Sequence, residues 1–310
     1  MMKTHKRRRL LIIACAALIL SIAVPIVAAL IVPLSFALSL SPAICPGAIY
    51  AVDTPEPVVA LTIDDGPDDR PDSAIAPGNQ NTTVQILNVL SAHQAQATFF
   101  LLSHKIENRD RATRNPDPLV SRIVRDGHEI GNHLTQDRRS IGLGNQFEAK
   151  LLEAQTIIDR YTQPHTANLS STQTPSASPR WLRPGGGWCS NPMADIARKH
   201  RYNLVLGLIW PLDTHIPWSG FAQRFIQWNI RPGAIIILHD GGQNGERGQR
   251  TAKTLERVLS RLDNRYRVTT LSELLTYGDA IANPTPFPPL LDPLRQHLIL
   301  TLFPDPPQVR

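Results

Sequence analysis

The residues best able to do chemistry in this 310-residue chain stand at the ends of apolar runs. Asp64 and Asp65 close the run VVALTI and are followed at once by the turn pair Gly66-Pro67. His133 closes EIGN, Arg183 closes WL, Asp213 comes just after LGLIW, and His239-Asp240 close AIIIL. Two adjacent carboxylates repel each other and resist removal from water, so something must hold Asp64 and Asp65 at the mouth of a buried strand. A carboxylate can take a proton, an imidazole can give one, and a guanidinium can fix a carboxylate through charge-assisted hydrogen bonds. Such chemistry needs these groups in one place, and that depends on the elements that carry them.

Seven apolar runs read as strands: VVALTID, ATFFLL, HEIGNH, WLRPGGG, YNLVLGLIW, AIIILHD and RVTTL. Amphipathic stretches lie between them, among them TTVQILNVLSAHQ, PLVSRIVRDG, NPMADIARKH, FAQRFIQWNI and TAKTLERVLSRLD. The clearest is GNQFEAKLLEAQTIIDRYT, with Phe147, Leu151, Leu152, Ala154 and Ile158 on one side. This alternation predicts one α/β domain over residues 57–278 with a parallel sheet, closed or nearly closed. In parallel α/β barrels the loops at the carboxyl ends of the strands converge on one face. All the groups named above would then meet there. The loop aspartates Asp68 and Asp69 suit a humbler use, capping the helix that follows.

The ends of the chain differ in kind. Lys3, Lys6, Arg7, Arg8 and Arg9 supply five of the formal net charge of +6, which leaves 6 − 5 = +1 for the rest. A nearly neutral body argues against a nucleic-acid-binding surface. Residues 10–40 carry no charge, and about twenty apolar residues suffice to cross a hydrocarbon core. Basic residues before the span and none just after it predict a cytoplasmic tail (1–9), one transmembrane anchor (10–40), a stem (41–56) and an exported body. A cleaved signal peptide is the competing reading, but its apolar region is only ~7–15 residues long. Residues 279–310 hold repeated prolines and read as an irregular tail. Cys15 falls in the span; Cys45 and Cys189 are the other two cysteines and permit one disulfide in an exported protein.

The segments TIDDGPDD, GNH, RPGGG, PLDT and ILHD, in this order, resemble the signature segments of the polysaccharide deacetylases (carbohydrate esterase family 4, the NodB-homology domain). The resemblance covers roughly residues 57–275. It implies a distorted (β/α) barrel of about seven parallel strands that removes N- or O-acetyl groups from cell-wall sugars with a bound divalent metal. It also implies roles. Asp64 would be the general base, Asp65 and His133 ligands of the metal (Zn, Mn or Co), and His239 the general acid. Asp213 would hold and charge that imidazole, and Arg183 would orient Asp64. Gly186 stands where such a protein offers a backbone N–H to the developing oxyanion. The expected partners are a GlcNAc-containing polymer or oligosaccharide, chitin-like or peptidoglycan, and the membrane. No nucleic acid and no obligate protein partner is expected.

Two positions depart from the family pattern. The second segment reads HLTQD, so Asp137 stands where a second histidine belongs. A four-residue spacing puts both side chains on one side of a helical turn, and aspartate is a legitimate metal ligand, so Asp137 is expected as the third. Two carboxylates and one imidazole would leave a divalent ion formally neutral. Such an ion acidifies water less, and a harder ion such as Mn²⁺ gains ground over Zn²⁺. The alternative makes Asp137 a surface acid paired with Arg138 or Arg139, with His128 or His215 recruited despite their spacing. The second departure is Thr214, which replaces the family's tryptophan after Asp213; Trp188 or Trp218 is the candidate substitute in the acetyl-packing wall. These departures open a rival reading, a catalytically silent, membrane-anchored glycan-binding protein. Retention of a base (Asp64) and an acid (His239) speaks against it. Phosphatases with an aspartate nucleophile fit poorly, because the second aspartate they need falls on Gly66 or Pro67.

Overall fold

The computed structural model describes residues 45–71, 74, 75, 77, 79–113, 117–162, 179–262 and 265–282. The expected anchor at 10–40, most of the expected tail and the loop at 163–178 lie outside the described residues. Among the described residues no helix is long and apolar enough to cross a membrane.

Two strands come first, β1 (Ile49–Asp53) and β2 (Val58–Gly66), and all nine residues of β2 are buried. An apolar strand paired on both edges and covered on both faces requires this. α1 (Thr82–Ala92) leads to β3 (Thr98–Leu101); α2 (Ser103–Thr113) and α3 (Pro118–Arg125) lead to β4 (Glu129–Asn132). α4 (Phe147–Thr162) precedes β5 (Arg180–Leu182), and α5 (Asn191–Lys199) precedes β6 (Tyr202–Leu204). Then come α6 (Ser219–Asn229), β7 (Ile235–His239), α7 (Glu246–Leu262), β8 (Arg267–Thr269), α8 (Leu271–Leu274) and β9 (Asp279–Ala282). Local caps set helix starts. Asn81 accepts from the Thr83 N–H at 3.0 Å, and Asp117, ahead of Pro118, accepts from Leu119 at 2.7 Å.

All seven expected strands are present, as one parallel sheet in the order β6-β5-β4-β3-β2-β7, with β8 pairing the start of β2. Past β6 the chain places Ile209 against Ile236 of β7, so the two ends of the sheet approach each other in an incomplete barrel. Side chains alternate between its faces. Val59, Leu61 and Ile63 of β2, with Ile236 and Leu238 of β7, join the apolar cluster shared with the helices. Val58, Ala60, Phe100 and Ile235 belong to a second cluster with Trp181 and Val205. The same alternation puts Thr62, Asp64 and His239 on the face of that second cluster.

The structure corrects several expectations. β1 lies in the segment read as a stem and pairs antiparallel with β9, in the segment read as tail, so folded structure extends past both expected boundaries. α2 carries no amphipathic signal because Ile106 is its one large apolar side chain. Leu152 is 39% exposed, and Ile157 and Tyr161 take the buried side of α4 instead. The run YNLVLGLIW is a strand only over Tyr202–Leu204. Cys45 and Cys189 do form the permitted disulfide, with Cα atoms 4.7 Å apart, tying the residues before β1 to the loop after β5.

Candidate active site

Asp64 and Arg183 form the fixed centre of the inner face. Arg183 is 2% exposed, yet its nitrogens all find partners. Nη1 donates to Asp64 Oδ1 at 2.6 Å and Thr62 Oγ1 at 2.7 Å, Nη2 to the Leu206 carbonyl at 3.0 Å, and Nε to the Val205 carbonyl at 3.3 Å. The guanidinium also lies 4.3 Å from the centre of the Phe100 ring. A buried ion pair is tolerable only when its remaining donors are satisfied in this way. Because Arg183 takes Oδ1, Asp64 Oδ2 is left toward His239, 4.0 Å from Nε2.

Asp65 interrupts the alternation. Asp64 opposes Phe100 and Gly66 opposes Leu101, so Asp65 is an extra residue in the ladder, with a left-handed φ of 65°. The bulge brings its Oδ1 to 3.4 Å from His133 Nε2. Leu134 (φ 67°) and Leu212 (φ 56°), beside His133 and Asp213, share this costly conformation. Backbone strain thus gathers around the site, as it does where side chains must be aimed against local preference.

His133 Nδ1 donates to the Arg183 carbonyl at 2.7 Å, which leaves Nε2 as the atom facing Asp65. Burial favours the neutral ring, but the Asp65 hydrogen bond and the charges of Asp64 and Asp65 raise its pKa. Burial likewise opposes ionisation of Asp65; the His133 hydrogen bond and the charges of Arg247 and His239 overcome it and hold this carboxyl well below the usual range. Asp137 is exposed on the loop after β4, and its carboxyl is pushed up, first by the negative charge of Asp65. The two carboxylates therefore share a field. An imidazole with an anchored Nδ1 and two neighbouring carboxylates suit a divalent cation. The set is not closed, however: among the described residues no three His, Cys, Asp or Glu side chains form a ready coordination group. Arg247 of α7 instead places Nη1 3.2 Å from Asp65 Oδ2, and Lys105 donates Nζ–H to the Asp65 carbonyl at 2.8 Å.

His128 offers no substitute. It precedes β4, at the other end of the strand from His133, and its Nδ1 accepts from the Ala97 N–H at 3.2 Å while burial lowers its pKa to about 4. His215 packs edge-on to Trp210, ring centres 6.0 Å apart.

His239 is held at two points by Asp213: Nδ1 lies 2.9 Å from Oδ1, and the backbone N–H donates to Oδ2 at 2.9 Å. Burial works against the charged ring, but the charge and hydrogen bond of Asp213, helped by Asp65 and Asp64, raise its pKa to about 9. At neutral pH it carries a proton on Nε2. Trp210 lies beside it, ring centres 6.5 Å apart and 39% exposed, a neighbour the sequence did not single out. Trp218 is 57% exposed, against Phe221 and beneath Arg224, and Trp188 is half-buried after the glycine turn. Gly186 is exposed in that turn with φ 72°; a Cβ there would come within 2.9 Å of Arg139 Cγ.

A buried network beneath the site also lacked a clear sequence signal. Asp240 accepts from Thr82 Oγ1 at 2.6 Å, from Thr83 Oγ1 and from the Gly241 N–H, and burial pushes its carboxyl up. Asp68 accepts from the Thr82 N–H at 2.9 Å at the start of α1, the capping use its position suggested. The network ties the loops after β2 and β7 to α1.

A parallel α/β sheet holds a clamped carboxylate and a clamped imidazolium at the carboxyl ends of its strands, one able to take a proton and the other to give one. The family profile described as Polysaccharide deacetylase matches residues 51–205, and the chain belongs to that family of hydrolases. It is 29% identical over 233 residues to a peptidoglycan-N-acetylglucosamine deacetylase of Bacillus cereus, covering 74% of this chain and 92% of that protein. A chitooligosaccharide deacetylase of Bradyrhizobium sp. is 30% identical over 190 residues, 61% of this chain and 73% of that one. Among solved structures, the Bc1960 peptidoglycan N-acetylglucosamine deacetylase superposes with a TM-score of 0.59 at 21% identity, covering 80% of this chain and 99% of that chain.

Proposed function

We propose that this protein is a divalent-metal-dependent deacetylase that hydrolyses N-acetyl groups of a GlcNAc-containing glycan outside the cytoplasm. The observation that carries the proposal is the facing of Asp64 and His239 across 4.0 Å, each held by a buried partner of opposite charge. Asp64 Oδ2 takes a proton from water as its oxygen adds to the acetamide carbonyl. Arg183 keeps the carboxylate in place, and the Gly186 N–H is the candidate donor to the oxyanion. His239 then gives its Nε2 proton to the amine as the C–N bond breaks. The proton on Asp64 can cross the short gap to His239 and restore both groups. Acetate and an amino sugar leave. A divalent cation held by Asp65, His133 and Asp137 would supply Lewis-acid polarisation of the carbonyl and acidify water.

Anchoring by residues 10–40, with a cytoplasmic tail and an extracytoplasmic domain that takes in β1 and β9, is part of the proposal and is supported by the uncharged span and its basic flank. One observation favours the rival reading, a silent glycan-binding protein: the Arg247 guanidinium stands 3.2 Å from Asp65 Oδ2, a positive charge against an expected ligand. The test is acetate release from chitooligosaccharides and acetylated peptidoglycan after chelation and re-addition of Mn²⁺, Co²⁺ or Zn²⁺. Release restored by at least one ion supports the deacetylase. Glycan binding with no release under any ion supports the rival.

A further inference from the structure

Arg247 is the second residue of α7, and three features single it out. Its Nη1 meets Asp65 Oδ2, the oxygen that His133 leaves free by taking Oδ1. Its Nε is buried without a hydrogen-bond partner among the described residues, so the guanidinium has lost water without full replacement there. Finally, the backbone has been cleared for it. Gly242 has φ 84°, and a Cβ there would come within 2.8 Å of Arg247 Cβ and 3.4 Å of Nε.

Arg183 provides the contrast. It is fully buried, and all its nitrogens are satisfied, as befits a permanent structural pair. Among the described residues Arg247 makes one ion pair, at 3.2 Å, with a stranded donor and a side chain that is 17% exposed. Such a group is held by charge more than by geometry and has a short way to go to reach water. The charge around it explains why it is drawn in: Asp64 is neutralised by Arg183, but Asp65 and Asp137 repel each other, offset besides Arg247 by His133, by His239 near Asp65 and by Lys105 near Asp137.

We propose that Arg247 is an internal counter-cation that engages the second carboxylate oxygen of Asp65, beside the one that meets His133, and lowers the affinity of this site for a divalent ion. The inference rests on the metal-dependent reading above and adds the device that makes the ion exchangeable. A cation entering between Asp65, His133 and Asp137 must displace the guanidinium from Oδ2 or accept a positive neighbour beside it. Either route weakens binding, because like charges in a site of low water content repel strongly.

The test is binding of MnCl₂ and ZnCl₂ to the chelator-stripped full chain by isothermal titration calorimetry, for wild type and Arg247→Gln. The dissociation constant is expected to fall at least tenfold in Arg247→Gln for both ions. A constant unchanged within threefold, or a weaker one, overturns the role of Arg247 and leaves the metal site standing if wild type binds. If neither protein binds either ion, the metal-dependent reading and this inference fall together. Binding by Arg247→Gln alone is the strongest support. Should that variant not fold by circular dichroism, Arg247→Lys is measured instead. The compact ammonium cannot reach Oδ2 with the same fork, so a threefold or greater tightening is expected and no tightening overturns the role.

Discussion

Replacing Asp213 by Asn removes the charge that keeps His239 protonated while preserving an acceptor for its Nδ1–H. The wild-type pKa of about 9 is supported chiefly by Asp213, with Asp65 and Asp64 contributing less. Without that carboxylate the value should fall back toward the ordinary one. A fall to about 7 is two units, or roughly 3 kcal/mol of lost preference for the imidazolium. At pH 8 the protonated fraction would then drop from ~90% to ~10%, a roughly tenfold loss of general-acid catalysis, against a change of only ~1.1-fold at pH 6. The assay is acetate release across pH 5.5–10 for both proteins, with the His239 ring titrated by NMR in chelated samples. The alkaline limb of kcat/KM should move to lower pH by one to two units in Asp213→Asn. If the limb and the NMR titration stay near 9 in a folded variant, Asp213 does not set the acid, and the reasoning fails.

Other outcomes are equally open to measurement. Arg183→Met strips buried Asp64 of its hydrogen-bonded guanidinium and leaves only His239, 4.0 Å away, so urea unfolding should show a loss of about 3 kcal/mol; a loss below about 1 kcal/mol would contradict the buried pair. The His239–Asp213 pair stabilises the fold most fully below about pH 6.5, and because the folded pKa is the higher one, that contribution is lost as pH rises through about 9. The melting temperature of wild type should therefore fall toward that of Asp213→Asn between pH 6.5 and 9.5, and parallel curves would refute the linkage. The Cys45–Cys189 bond closes a separation of 144 residues, worth up to about 5 kcal/mol on chain-entropy grounds, so reductant should lower the urea midpoint clearly. Trp210→Ala should lower kcat/KM about tenfold with a smaller effect on stability, because the ring stands half open beside His239; unchanged kinetics would remove it from the substrate wall.

The sheet was legible because its strands are apolar runs ending in punctuated polar clusters, and period-two alternation carries directly into which side chains face Arg183. Asp64, Arg183, Asp213 and His239 could be placed together because each ends or follows such a run. β1, β9 and α2 were not legible for a common reason: they draw stability from pairing or from loop docking and lack an amphipathic stripe of their own. The bulge at Asp65 was hidden, since nothing but Gly66-Pro67 marks a residue that must adopt φ 65°. Trp210 was concealed inside a run that reads as one long strand. Arg247 had no signal at all, because its partner lies 182 residues earlier in the chain and only the folded α7 brings them together.

The central claim is that Asp64 serves as the base of a hydrolytic site rather than as a structural partner of Arg183. It is tested most directly by acetate release from chitopentaose by wild type and Asp64→Asn at equal, measured metal occupancy. Turnover is expected in wild type, with a fall of at least a thousandfold in Asp64→Asn while the metal stays bound. Comparable release by both proteins, or none from wild type with its metal in place, would contradict it.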